Sequence, residues 1–208
     1  MTNIDIKRVC IHECCHAVVA RLFRQTITIE ELVVNAHLVK KGQDIGTLSV
    51  KGPLLDDEQD YTALAITLFA GVVGENMYLL GTDAIRERKG EIIADNTIMD
   101  WLFAGGDISL FLNNAYVFRL CYQIDEVKLK GFCLRFLIDF LSNKEVWSMV
   151  EKLCDELLKA DDLKLSEEEL ESVFRRIGLD ALLDNKRKEY LKQCNEVLQF
   201  CYRSEPCL

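Results

Sequence analysis

CIHECCHAVVA, residues 10–20, holds two histidines four positions apart, with a glutamate directly after the first. On a helix, residues i and i+4 lie on one face a turn apart, so His12 and His16 can reach a common ion. Zinc accepts neutral histidine nitrogens at about 2.0–2.1 Å and, in a catalytic site, keeps one position open for water. Glu13 is rotated roughly 100° from His12. It is therefore poorly placed to be a ligand beside the histidines, but it can reach a metal-bound water and accept its proton, which is the mechanical content of H-E-x-x-H. The bland alternative is an amphipathic helix whose core holds two histidines. The chain has three histidines in all, and two of them fall here. The third, His37, sits in a polar loop and reads as a surface residue.

Working outward, residues 5 to about 24 read as one helix, with Val9, His12, His16, Val19, Ala20 and Phe23 recurring at helical spacing. TITIEELVV (26–34) and IGTLSV (45–50) are short and β-branched, and read as two strands joined by the polar loop NAHLVKKGQD. Asp56 and Asp57 supply N-cap chemistry for a long apolar helix through Leu80. That helix, in YTALAITLFAGVVGENMYLLG (61–81), is interrupted by Gly74-Glu75-Asn76, short of the 20 or so continuous apolar residues that a membrane span needs. It reads as a buried core helix, and the carboxylate of Glu75 inside it calls for a partner. Gly81 should end it. Residues 82–106 carry the weakest pattern. Asp107, after Gly105-Gly106, is placed to cap a new helix, and three or four helices follow. In SEEELESVFRRIG, Ser166 and Glu169 form a capping box and Gly178 stops the helix. A last amphipathic helix spans about 180–203. There is no internal repeat, low-complexity tract or Pro-rich linker.

Composition bounds the function. The chain has 208 residues, 50% hydrophobic and 28% charged, which is the make-up of a folded protein with a substantial core. The formal net charge is −9, with no basic stripe to neutralise phosphates, which argues against a general nucleic-acid binder. Nine cysteines include no pair at zinc-finger spacing, and MTNIDIKRVC has no leader-like pattern, so a reducing, cytoplasmic setting with free thiols is expected. Cys121, Cys133, Cys154 and Cys194 lie beside Leu, Phe or Tyr and read as small core residues.

The order of these motifs resembles the peptidase domain of the FtsH-type membrane-anchored, ATP-dependent zinc proteases. The family's H-E-A-G-H-A helix is matched by HECCHA, its L-G-x-T-like edge strand by IGTLSV, and its L-L-G-G-R-A-A-E-E helix by LFAGVVGEN. Its G-A-x-x-D-[IL] segment is matched loosely by AGGDISL, and its distal helices by NKEVWSMVEKLCDELLKADDLKLSEEELESVF. The resemblance runs in consistent order from about Ile6 to Gly178. It implies His12 and His16 as zinc ligands, Glu13 as general base, and Asp107 as third ligand. Asp107 is also read as a plain helix cap, and Asp95 and Asp100 are rivals for the third ligand because the stretch before Asp107 is longer here than in the family. Glu75 would orient a ligand histidine through its other ring nitrogen. This chain has no G-x-x-x-x-G-K-[ST] and no spanning helix, so the family's ATPase module and membrane anchor have no counterpart in it. Cys14 and Cys15 stand where the family has Ala and Gly, which puts a larger side chain at a close helix contact and oxidisable sulfur beside the metal.

The expected fold class is α+β, a mainly helical zinc-metallopeptidase domain (1–178) with a small β-sheet beside the H-E-x-x-H helix, and a C-terminal helical extension (179–208) packed on it. The expected activity is a stand-alone zinc endopeptidase that needs no ATP in isolation. Protein or peptide substrate would lie extended along Gly46, Thr47, Leu48 and Ser49, adding a strand through main-chain hydrogen bonds. Two other readings stay open: a catalytically silent binding or regulatory module, and a latent peptidase assembled by a separate ATPase or adaptor. Oligomeric state is left undecided.

Overall fold

Residues 6–36, 46–51, 58–94 and 126–201 are described by a computed structural model of the chain. Helix α1, Ile6–Leu22, runs through the middle: every residue from Val9 to Ala20 is buried. A helix enclosed on all sides needs apolar or internally satisfied residues all round, not one apolar stripe. That is why cysteines, histidines and valines alternate around it. Strands β1 (Thr28–Val34), β2 (Gly46–Lys51) and β3 (Lys164–Ser166) form an antiparallel sheet in the order β2-β1-β3. The register pairs Leu32 with both Leu48 and Leu165, and Leu32 is fully enclosed. The two strands expected from β-branched runs are present within a residue or two of the expected bounds. The third, three residues long, is too short to carry a period.

Helix α2, Glu58–Leu80, packs along α1 and on α5. Its stretch Tyr61–Leu80 is long and apolar enough to cross a membrane by length and composition, and most of it is buried inside the protein. Gly81 ends it with φ of 92° and donates to Met77 O at 2.9 Å. The weakly patterned segment after it forms two short helices, α3 (Thr82–Glu87) and α4 (Lys89–Ala94). Four helices follow among the described residues: α5 (Glu126–Leu141), α6 (Lys144–Lys159), α7 (Glu167–Ile177) and α8 (Leu179–Cys201). Asn143 caps α6 by accepting from Glu145 N at 3.0 Å, and Gly178, at φ of 82°, closes α7 in the left-handed conformation. The Ser166–Glu169 capping box forms as expected, Glu169 accepting from Ser166 N at 2.8 Å. The chain is thus mostly helical with a small antiparallel sheet, an α+β arrangement. Asp56, Asp57, Cys121 and the loop from His37 to Asp44 lie outside the described residues.

The C-terminal helix is tied to α5 by aromatic contacts and to the end of α1 by charge. Phe132, Phe136 and Phe140 recur every fourth residue on α5, and Tyr190 of α8 meets Phe136 and Phe140 edge-on, with centroids 5.9 and 5.0 Å away. At the end of α1, the Arg21 guanidinium grips two carboxylates. Its Nε and Nη2 donate to Asp180 at 2.7 and 3.0 Å, and its Nη1 and Nη2 donate to Glu171. Its plane lies over Phe174. Arg24 adds a bond to Asp180 at 3.2 Å, and Arg187 Nε caps Leu22 O at 3.1 Å. A cation on the last carbonyls of a helix complements the negative end of its dipole.

Hydrogen bonding from Arg21 holds the Asp180 carboxyl below its usual range. A carboxylate with a lowered folded-state pKa adds stability that is full above its unfolded pKa of about 3.9 and is lost as pH falls through the folded value. Acid titration of unfolding should therefore show a smaller loss of stability below about pH 4 for Asp180→Asn than for the parent protein. At neutral pH, Arg21→Met, which keeps the stem on Phe174, should cost about 1–2 kcal/mol by denaturant unfolding.

Candidate metal centre

Three faces of α1 meet three different surroundings. His12 and His16 face α2, Cys10 and Cys14 face α6, and Glu13 turns to the sheet. On the first face, both imidazoles are oriented through Nδ1. His12 Nδ1 lies 3.0 Å from Glu75 Oε2, and His16 Nδ1 lies 2.6 Å from Thr67 O. Both acceptors belong to α2. A ring nitrogen that faces a carbonyl or carboxylate carries the proton, so each neutral ring presents the lone pair of Nε2.

Those two Nε2 atoms converge to 3.1 Å, with the ring planes at 71°. Two lone pairs this close repel each other unless a cation or a shared proton lies between them. For a tetrahedral ion with nitrogens at about 2.0–2.1 Å, the expected nitrogen separation is about 3.3 Å. The two rings therefore fit a zinc ion. The rings approach α2 this closely because it carries a glycine at the facing position. A Cβ on Gly71 would fall 2.2 Å from His16 Nε2 and 2.5 Å from His12 Nε2. The histidines are nearly enclosed, at 9% and 5% exposure.

A second glycine resolves the misfit expected at Cys15. A Cβ on Gly74 would stand 2.1 Å from Cys15 Sγ. The absence of a Cβ at Gly74 thus accommodates the Cys15 side chain between α1 and α2. On the opposite face, Cys10 and Cys14 bond to Cys154 of α6. These S–H donors favour the thiolate of Cys154 and lower its pKa, while burial pushes the Cys14 thiol up. Cys133, Cys154 and Cys194 are buried, free thiols, as their apolar neighbours suggest.

Glu13 is 5% exposed and lies against the first residue of β2. A Cβ on Gly46 would come within 2.3 Å of its Cγ and Oε1, so only glycine lets the strand approach the carboxylate. Among the described residues, β2 has β1 as its one strand neighbour, which makes it an edge. Thr47 is exposed, and Leu48 and Ser49 are partly so. Burial by itself would raise the Glu75 carboxyl, but the hydrogen bond and charge of His12, with the charge of Arg8, lower it.

The structure sets His12 against both His16 and Glu75, and separately sets Glu13 against Gly46. Asp107, Asp95 and Asp100 lie outside the described residues, and among the described ones no group of three or more His, Cys, Asp or Glu side chains is arranged to hold a metal. Sequence reasoning missed Gly71, Gly74, Thr67 and Arg8. Only the glycines had a visible signal, as costly residues inside an apolar helix. No protein-family model matches the chain, and no curated protein matches it.

Gly71→Ala should force the imidazoles apart and cost about 1–3 kcal/mol of stability as overpacking. Gly90→Ala, in α4 with nothing within 4 Å of the added Cβ, should be neutral or stabilising. Thermal unfolding of the two variants, with the histidine ring signals followed by NMR, checks the contrast.

Proposed function

We propose that this chain is a zinc-dependent endopeptidase that hydrolyses peptide bonds in flexible or unfolded protein segments without ATP. The observation that carries this reading is the convergence of the His12 and His16 Nε2 atoms at 3.1 Å beside Gly71, both rings being oriented through Nδ1. His12 and His16 would hold the metal, and Asp107 is proposed as the third ligand, with Asp95 and Asp100 as its rivals. Zinc, when bound, polarises a carbonyl and lowers the pKa of its water to about 7.

The chain's own residues supply the rest. A substrate segment adds to the free side of β2 along Gly46, Thr47, Leu48 and Ser49, its main chain pairing with the strand whatever its sequence. Glu13, held against Gly46, then faces the segment's carbonyl. Water attacks the carbonyl carbon while its proton passes to the Glu13 carboxylate. Glu13 gives that proton to the amide nitrogen as the C–N bond breaks, leaving a new carboxyl and a new amine. The low exposure of His12, Glu13 and His16 limits bulk water and strengthens each electrostatic contact. Recognition through main-chain bonds favours segments that are already extended and unpaired, hence unfolded substrates.

Glu13→Gln keeps the size of the side chain and removes its basicity. The variant should fold and hold zinc at one ion per chain, while cleavage of an unfolded casein-type substrate falls by about 10² to 10⁴. Equal, negligible turnover by both forms across varied unfolded substrates would leave the binding-module reading standing. Loss of zinc from Glu13→Gln would make Glu13 a ligand and end this mechanism. His16→Ala should lose most of the metal and Asp107→Ala much of it. Retention of full zinc by Asp107→Ala, with loss from Asp95→Ala or Asp100→Ala, would move the third ligand. Mg-ATP should produce no thermal shift, because the 208 residues contain no phosphate-cradling G-x-x-x-x-G-K-[ST] loop.

A further inference from the structure

The two histidines are oriented by unlike acceptors. His16 Nδ1 donates to a main-chain carbonyl, Thr67 O, which α2 itself fixes in place. His12 Nδ1 donates to the side chain of Glu75, whose three rotatable bonds give its carboxylate many positions. Something has to hold that carboxylate if the His12 ring is to point as steadily as the His16 ring. Arg8 stands one helical turn before His12 on α1, hence on the same face. Its Nε lies 3.1 Å from Glu75 Oε1, while Glu75 Oε2 lies 3.0 Å from His12 Nδ1. The carboxylate thus has a side chain of α1 at each oxygen, a hydrogen bond from His12 on one and the ionic contact of Arg8 on the other.

We propose that Arg8 is a positioning residue for the metal centre, clamping Glu75 so that its second oxygen fixes the ring of His12. This rests on the zinc reading above. The ion pair is partly buried, with Arg8 and Glu75 side chains 23% and 21% exposed. A pair in that setting gives little net stability, since desolvation offsets much of the attraction. Its geometric consequence is larger: partners that orient a metal-bound histidine are typically worth about 10- to 100-fold in metal affinity. Arg8 acts through Glu75 and touches no reacting atom. Its effect should therefore vanish once Glu75 can no longer transmit it.

The test is a double-mutant cycle read by zinc affinity, measured by competition with a chromophoric chelator, with the melting temperature of each metal-free protein beside it. Arg8→Met should weaken zinc binding about tenfold while the metal-free melting temperature stays close to that of the parent. Arg8→Lys, which keeps the charge but not the shape, should recover part of the loss. In a Glu75→Gln background, Arg8→Met should add little further loss. Wild-type zinc affinity in Arg8→Met, or the same tenfold loss with and without Glu75, would overturn the proposal. If Arg8→Met does not fold, Arg8→Gln and Arg8→Lys serve the same cycle. A parent protein that takes up no zinc would instead sink the metalloenzyme reading, so the two failures are distinguishable.

Discussion

The close approach of α2 to α1 at Gly71 and Gly74 is the constraint on which the rest of the site depends. At Gly71, the absence of a Cβ leaves room for two imidazole nitrogens to converge. At Gly74, the same absence admits the sulfur of Cys15. Glycine inside a helix costs about 1 kcal/mol relative to alanine. Two of them within one helical turn, facing His12 and His16 and then Cys15, are explained by what they accommodate. The same helix supplies both histidine acceptors, Glu75 Oε2 and Thr67 O. Moving α2 outward by the width of a methyl group would therefore weaken spacing and orientation together.

Because α1 is enclosed on all sides, each of its faces is specified by a different neighbour. The face toward α2 carries the histidines, and the face toward α6 carries Cys10 and Cys14 against Cys154. The face toward the sheet carries Glu13 against Gly46. This division keeps the carboxylate of Glu13 away from the Nδ1 atoms of the histidines, which have their own acceptors, and leaves it directed at the sheet edge. The histidines and the glutamate are thereby placed on adjoining faces of one helix.

The far end of α1 is held by charge. Arg21 grips Asp180 and Glu171, and Arg187 covers the last carbonyls, so the start of α8 and the end of α1 move as one. Arg21 lies against the ring of Phe174 and its side chain is 12% exposed, so its contacts are less open to screening than ordinary surface pairs. The helix that bears the histidines is fixed by glycine contacts along its length and by an arginine clamp at its end.

Much of this was legible in the sequence, and the reason is local. Helix α1 announced itself by the spacing of Val9, His12, His16 and Val19, and α7 by Ser166, Glu169 and Gly178, because these signals lie within a few residues of one another. β1 and β2 were visible as β-branched runs of adequate length. The spacing of His12 and His16 and the place of Glu13 follow from helical geometry alone. Glu75 drew notice as a carboxylate in an apolar run, and the resemblance gave it a ligand histidine without deciding which. β3 was hidden because three residues have no period. The Arg21–Asp180 clamp was hidden because 159 positions separate its members. Which histidine Glu75 would orient, that Arg8 would hold Glu75, and that Gly74 would absorb Cys15 are all facts about α2 lying against α1. Helical periodicity determined which side chains of α1 share a face. Only the packing of a second helix decided what each face meets, because contacts between distant segments are set by shape and leave no repeating pattern in the chain.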